Sequence, residues 1–123
     1  MINSKLHGIL DYLVVAFLVA SPSIFHLPPQ TTVFTYGLAA MHLVLTMLTA
    51  YEPGTLKIIP FRIHGWIELF VVIALGALTF YIDSVEGHAA RNFYIGFTGA
   101  IFLVWLLTNY KSAPAIPKEE DVM

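Results

Sequence analysis

The chain has 123 residues, of which 58% are hydrophobic and 11% are charged, and its formal net charge is −2. Soluble domains carry about 25% charged residues, so this composition excludes an ordinary soluble domain. No basic tract indicates a nucleic-acid partner. The chain has no cysteine, which excludes disulfides, thiolate metal sites and covalent c-type haem attachment.

The charged residues form small clusters, and the apolar segments between them are long enough to cross a bilayer, which takes about 20 residues. The predicted spans are residues 6–25, 32–51, 63–82 and 92–110. Because these spans and short connections use almost the whole chain, we predict a single membrane domain, residues 1–123. Its predicted fold is all-α, a polytopic four-helix bundle, with membrane lipid as its surroundings and residues 112–123 as a disordered tail.

Span one is predicted to begin at a cap formed by Asn3 or Ser4 and to end or kink at Pro22. The short uncharged connection that follows predicts an antiparallel hairpin with span two. Span two has small and hydroxylated residues at the spacing of one helix face: Thr35, Ala39, His42, Thr46 and Thr49. Such residues let membrane helices pack closely, so this face is predicted to point into the bundle, with His42 near the bilayer middle.

The second and third connections contain charged residues, whereas the first contains none. Residues 52–54 break the second helix, and residues 55–62 are predicted to lie along the membrane interface. The third connection is predicted to hold Asp83, Glu86, His88 and Arg91. In span four, Gly96 and Ala100 form a small-residue pair that permits close helix approach, including approach between two copies in a homodimer.

The distribution of basic residues predicts the orientation of the chain. Every basic residue except Arg91 falls on the side of the membrane that holds both termini: Lys5, Lys57, Arg62, Lys111 and Lys118. Cytoplasmic loops carry the excess of lysine and arginine. Both termini are therefore predicted to be cytoplasmic, in a multi-pass protein of a bacterial inner membrane.

Two pairs of motifs indicate an internal duplication. His7-Gly8-Ile9-Leu10-Asp11 and His64-Gly65-Trp66-Ile67-Glu68 each open a long apolar run, while Leu48-Thr49-Ala50-Tyr51 and Leu107-Thr108-Asn109-Tyr110 each close one. The predicted repeats are helical hairpins, at about residues 5–52 and 62–111. Because each contains an even number of spans, they are parallel repeats, related by an axis along the membrane normal.

In layout, the chain resembles the small bacterial membrane proteins built from two SPW repeats, each a helical hairpin. The residues that carry the resemblance are Ser21-Pro22 at the outer end of span one and the acidic Asp11 about ten positions earlier. The chain departs from the pattern at Ser23, where the family has tryptophan, and at Leu78-Thr79, where Ser-Pro would fall. The resemblance implies the fold and no biochemical activity.

The candidate site consists of the ionisable residues of the repeated motif. His7 and Asp11, and likewise His64 and Glu68, are spaced i, i+4 and so share a helix face. Ionisable groups within membrane spans face inward and by default mark a functional site. One interpretation is that these residues hydrogen-bond and hold the repeats together, near the interface where desolvation is partial. Another is a metal site, since two histidines and two carboxylates suit zinc, iron or manganese.

Three further interpretations remain open. A b-type haem between His7 and His64 would need a gap wide enough for the macrocycle. A small transporter or proton-conducting unit would use His42 and Glu68, with Thr46, Tyr51 and Tyr110 as other polar interior residues. An enzyme has little support, because the chain lacks a serine nucleophile motif, a phosphate-binding glycine loop and an H-E-x-x-H pair. The preferred prediction is a non-enzymatic membrane protein whose cluster holds the repeats together, with cation binding left open as a second role of the cluster.

Overall fold

The structure, a computed structural model, describes residues 1–114 and contains four α-helices. They are α1 (Ser4–Ile24), α2 (Pro29–Leu48), α3 (Phe61–Glu86) and α4 (His88–Leu107). Each helix is long and apolar enough to cross a membrane, which confirms the all-helical class and indicates a multi-pass membrane protein. Most of the predicted disordered tail, residues 115–123, lies outside the described residues.

Local chemistry explains how the helices begin. Asn3 caps α1 as predicted, because its side chain accepts a hydrogen bond of 2.9 Å from the amide of Leu6. Prolines precede α2 and α3 at the cap positions Pro28 and Pro60, where their fixed φ suits helix entry. Pro22 lies inside the last turn of α1, which continues to Ile24.

The helix ends differ from the predicted spans. The second span was expected to continue to residue 51, but α2 ends at Leu48 because Thr49 is extended and pairs with Ile59. The third connection was expected to hold four charged residues. Instead α3 continues through Glu86, and the single residue Gly87 separates it from α4. Gly87 has a φ of 93°, a conformation that favours glycine.

Helix α1 packs against α2, and α3 packs against α4, with additional contacts between α2 and α3. The buried core includes Leu18, Leu38, Leu75, Phe97 and Ile101. The predicted inner face of span two is confirmed, since Thr35, Ala39, Thr46 and Thr49 are buried and His42 is half-buried.

The small-residue pair of span four does not pack within this chain. A Cβ placed on Gly96 would meet nothing within 4 Å, and both Gly96 and Ala100 are exposed. No close approach between helices of the described chain depends on this pair, so its predicted use in a homodimer stays a prediction.

Glu86, at the end of α3, caps the start of α2. Its carboxylate accepts hydrogen bonds from the amides of Gln30, at 3.1 Å, and Thr31, at 2.5 Å, and from the Thr31 hydroxyl at 2.7 Å. These amides have no partner within their own helix, and a carboxylate is favoured at the positive end of the helix dipole. The contact ties the two hairpins together at the end of the bundle away from the termini.

Glu86→Ala is expected to lower the midpoint of thermal unfolding in detergent, because it removes the capping acceptor. Glu86→Gln should lower the midpoint less, since the amide oxygen still accepts hydrogen bonds. Circular dichroism of the two variants and the parent protein measures the difference. Equal midpoints for Glu86→Ala and the parent would contradict a capping role.

Candidate metal centre

The structure brings together the four ionisable residues of the repeated motif. His7 and Asp11 lie at the start of α1, His64 and Glu68 lie at the start of α3, and one potential ligand atom from each lies within 4.8 Å of the others. The Nε2 of His7 lies 3.2 Å from Glu68 Oε2 and 3.4 Å from Asp11 Oδ1. The Nε2 of His64 lies 3.3 Å from Asp11 Oδ2 and 3.9 Å from Glu68 Oε2. We call this set the His/carboxylate cluster.

The cluster is enclosed by protein, although the sequence predicted partial solvation near the membrane interface. His7 and His64 are fully buried, and the carboxylates are almost so. The segments that follow α2 and α4 place Tyr51 and Tyr110 over the histidine rings, and Phe61 packs against both histidines. The desolvation of these groups is therefore set by the chain itself.

Threonine hydroxyls fix the tautomer of each clustered histidine. Thr49 Oγ1 lies 2.8 Å from Nδ1 of His64 and 2.6 Å from the carbonyl oxygen of Leu45. A carbonyl can only accept, so the single hydroxyl proton of Thr49 goes to Leu45. The threonine oxygen must then accept from His64, which means that Nδ1 of His64 carries a proton.

His7 has the same arrangement on the other side of the cluster. Its Nδ1 lies 2.8 Å from Thr108 Oγ1, and that hydroxyl donates at 2.6 Å to the carbonyl of Val104. Both histidines therefore hold a proton on Nδ1 and direct Nε2 at the carboxylates. Within residues 1–114, neither Nε2 atom forms a hydrogen bond of acceptable geometry, although a carboxylate oxygen lies 3.2 Å from Nε2 of His7 and another lies 3.3 Å from Nε2 of His64.

Tyrosine hydroxyls hold the two carboxylates. Tyr51 donates to Asp11 Oδ2 at 2.7 Å, and Tyr110 donates to Glu68 Oε2 at 2.6 Å. Both tyrosines were predicted as polar interior residues, and both contact the His/carboxylate cluster. Thr46, predicted with them, is buried but donates to the backbone oxygen of His42 at 2.7 Å, so its hydroxyl is used within α2.

The glycine after each histidine makes room for the segment that covers the cluster. A Cβ on Gly65 would lie 2.8 Å from Tyr110 Cδ1, and one on Gly8 would lie 2.5 Å from Pro53 Cγ and 3.3 Å from Tyr51 Cε2. These distances are shorter than van der Waals contact. The glycines of the motif are therefore required for close approach, as their position beside the histidines suggested.

His42 adds a third imidazole beside the cluster. The sequence placed it apart, near the bilayer middle, but its Nε2 lies 3.3 Å from Asp11 Oδ1. This Nε2 also lacks a hydrogen-bond partner among the described residues. The sequence also did not predict that Thr49 and Thr108 accept hydrogen bonds from the clustered histidines, although the repeated Leu-Thr-x-Tyr motif contains both threonines.

The geometry leaves no gap for a haem between His7 and His64. The two imidazole centroids lie 5.3 Å apart with their planes at 85°, so the rings pack edge to face. The carboxylates of Asp11 and Glu68 lie between their Nε2 atoms. A macrocycle flanked by both rings would have to displace these carboxylates, so the haem interpretation does not fit this site.

Comparisons of the chain with protein-family models, curated proteins and solved structures gave no match. Its class is therefore defined by its own fold and site. It has four helices that are long and apolar enough to span a membrane, which indicates a multi-pass membrane protein, and a buried cluster of histidines and carboxylates.

Proposed function

We propose that this protein binds a divalent transition-metal ion through His7, Asp11, His64 and Glu68. The observation that carries the proposal is that both histidines hold a proton on Nδ1 and direct Nε2 at the carboxylates without a hydrogen bond of acceptable geometry. Metal-bound histidines characteristically donate their other ring N–H to an outer group, and ligating carboxylates are themselves hydrogen-bonded. Thr49, Thr108, Tyr51 and Tyr110 supply these outer contacts.

Charge balance favours a divalent ion. Two ionised carboxylates in a buried site require compensation, and within residues 1–114 neither Asp11 nor Glu68 forms an ion pair with lysine or arginine. A divalent cation with two neutral histidines gives a neutral site. Protons on both Nε2 atoms would also give a neutral site, so metal and protons compete and metal binding should release protons.

The donor set narrows the choice of metal. Two imidazole nitrogens and two carboxylate oxygens, without sulfur, suit zinc, iron or manganese. Four potential ligand atoms within 4.8 Å of one another match the coordination number of a zinc site, and iron or manganese would accept further ligands beside them. His42 provides a further imidazole, whose Nε2 lies 3.3 Å from Oδ1 of Asp11.

Titration with Co²⁺ in detergent tests this function, because Co²⁺ occupies such sites and absorbs visible light. The expected result is absorption that saturates at one ion per chain, is reversed by a chelator and is accompanied by proton release. Absence of saturable absorption from the purified, folded protein would overturn the proposal.

Thr49→Val is expected to weaken metal binding by about 10- to 100-fold while the fold persists, because valine keeps the shape of threonine but no longer holds Nδ1 of His64. Thr108→Val should have the same effect through His7. The matched control is Thr98→Val, because the buried Thr98 hydroxyl has no partner among the described residues. Competition with a chromophoric chelator measures the three affinities, and equal affinity in Thr49→Val and Thr98→Val would contradict the assigned tautomer.

We also propose that the chain is a duplicated hairpin with both termini in the cytoplasm. Contacts in matched pairs support the duplication: the Thr49 and Ile59 backbones pair, as do those of Ile2 and Thr108. In the same way, His7 of the first hairpin bonds Thr108 at the end of the second, and His64 of the second hairpin bonds Thr49 at the end of the first. The resemblance to SPW-repeat proteins stays a prediction.

Membrane-impermeant labelling tests the orientation. Single cysteines in place of Lys5 and Lys111 are expected to be protected in intact cells and to react after lysis. A cysteine in place of Arg91 should react in both conditions. Reaction of the terminal positions in intact cells would reverse the orientation.

An ion path is the second candidate function, favoured by the contact between His42 and Asp11. It predicts proton or cation flux in liposomes that is lost in His42→Ala. The apolar residues that adjoin His42 argue against an ion path and so favour metal binding. An apolar cavity adjoins His42, and its lining, which belongs to residues 1–114, contains no polar side chain besides His42 and Glu68, so the residues around it do not extend a chain of polar groups.

A further inference from the structure

A cavity of about 220 Å³ lies between the four helices, beside the His/carboxylate cluster. Its walls are aliphatic except for Phe97 and two ionisable residues, His42 and Glu68. Glu68 belongs to the cluster, and His42 contacts Asp11 of the cluster. The cavity thus connects an apolar interior with the proposed metal site.

The cavity also reaches the outer surface of α2. Met41 and Val44 line it, and both are exposed on the outside of the bundle. In a membrane this surface faces lipid, because α2 is one of the four candidate spans. A molecule dissolved in the bilayer can therefore approach the cavity from the side, without crossing a polar surface.

We propose that the cavity binds the end of an aliphatic chain that carries a neutral oxygen group, an alcohol or an aldehyde, with its oxygen at the metal ion. The inference rests on the proposed metal site. Size supports it, since an engineered apolar cavity of about 150 Å³ holds benzene, and this cavity is larger. A flexible aliphatic chain packs better against these walls of Leu, Val and Ile than it would against flat aromatic side chains.

The surrounding charges select a neutral ligand. Glu68 lines the polar side of the cavity, Asp11 lies next to the lining residue His42, and the lining residues include neither lysine nor arginine. A fatty-acid carboxylate would be repelled by the negative charges of Asp11 and Glu68. The metal ion would not offset this repulsion, because its charge is already balanced by the same two carboxylates. A buried hydroxyl or carbonyl needs a polar partner, and it would find one in the metal ion or in Nε2 of His42, which forms no hydrogen bond of acceptable geometry.

Photolabelling in lipid nanodiscs tests the location of the chain. The probe is 1-decanol with a diazirine at its far end, and the labelled residues are mapped by mass spectrometry. The expected labels fall on cavity residues such as Leu18 and Leu38. Filling the cavity with Ile101→Trp should reduce this labelling by at least about tenfold, through loss of apolar contact. The matched control is Ile95→Trp, since Ile95 lies on the lipid-exposed face of the same helix.

If Ile101→Trp does not fold, Leu38→Phe serves as a second cavity-filling variant. Labels confined to lipid-facing residues, or equal labelling in the filled variant and Ile95→Trp, would overturn the inference. This measurement does not require metal, so it remains informative if the protein fails to bind Co²⁺.

The absorption spectrum of the Co²⁺-loaded protein tests the position of the oxygen. 1-Decanol is expected to shift the spectrum, whereas decane and decanoate should not. A labelled cavity with a Co²⁺ spectrum that 1-decanol leaves unchanged would overturn the placement of the oxygen at the metal. A labelled cavity in a protein that binds no Co²⁺ would instead refute the proposed function.

Discussion

His64→Ala is expected to reduce bound Zn²⁺ from one ion per chain to below about a tenth of that value, because it removes one of the four protein ligands of the proposed site. The substitution also leaves the Thr49 hydroxyl without its histidine donor, and it increases the repulsion between the carboxylates of Asp11 and Glu68. Elemental analysis after equilibration with micromolar Zn²⁺ measures the loss. This is the largest effect on binding that the geometry predicts for a single residue.

The control for this variant is His88→Ala. His88 is exposed and pairs with Asp83 at the other end of the bundle, so its removal should leave the metal content unchanged. His7→Ala is expected to match His64→Ala, and the double variant should lose little more than either single variant, since residues in one network are not additive. Full metal content in His64→Ala would place the ion elsewhere.

Gly65→Ala is expected to destabilise the protein by about 1–3 kcal/mol, the usual effect of forcing an extra methyl into a packed site. Its Cβ would lie within 3.0 Å of the Tyr110 ring, which is held in place by its bond to Glu68 and by the adjacent Phe61 ring. The ring must move, and the bond to Glu68 breaks with it. Gly8→Ala should destabilise the protein in the same way, because its Cβ would lie too close to Pro53 and Tyr51.

Equilibrium unfolding in mixed micelles, followed by circular dichroism, measures these differences. The matched control is Gly76→Ala in the middle of α3, where a Cβ meets nothing within 4 Å. Because alanine favours helices over glycine by about 1 kcal/mol, Gly76→Ala should be neutral or stabilising. If Gly65→Ala were as stable as Gly76→Ala, the close packing of Tyr110 over the motif would be wrong.

The sequence predicted the features that depend on local composition. Four apolar runs predicted four helices, because a bilayer requires about 20 apolar residues for each span. The inner face of α2 followed from the spacing of its threonines, and the four residues of the His/carboxylate cluster followed from ionisable groups placed inside apolar runs. The structure brings those four together, as His7, Asp11, His64 and Glu68.

The features that the sequence did not predict depend on contacts between distant segments. The end of α2 at Leu48 results from the pairing of Thr49 with Ile59, while the sequence around Thr49 continues an apolar run. His42 was placed at a different depth, because its position near Asp11 depends on how α1 and α2 pack. Similarly, His7 and Thr108 lie at opposite ends of the chain, and only the folded bundle joins them.

X-ray absorption at the zinc edge tests the central claim most directly, using the full chain loaded with Zn²⁺ in detergent. The proposed site predicts nitrogen and oxygen ligands at about 2.0–2.2 Å and no sulfur, with imidazole scattering that disappears in the His7→Ala/His64→Ala double variant. A folded wild-type protein that retains no more Zn²⁺ than this double variant would contradict the claim.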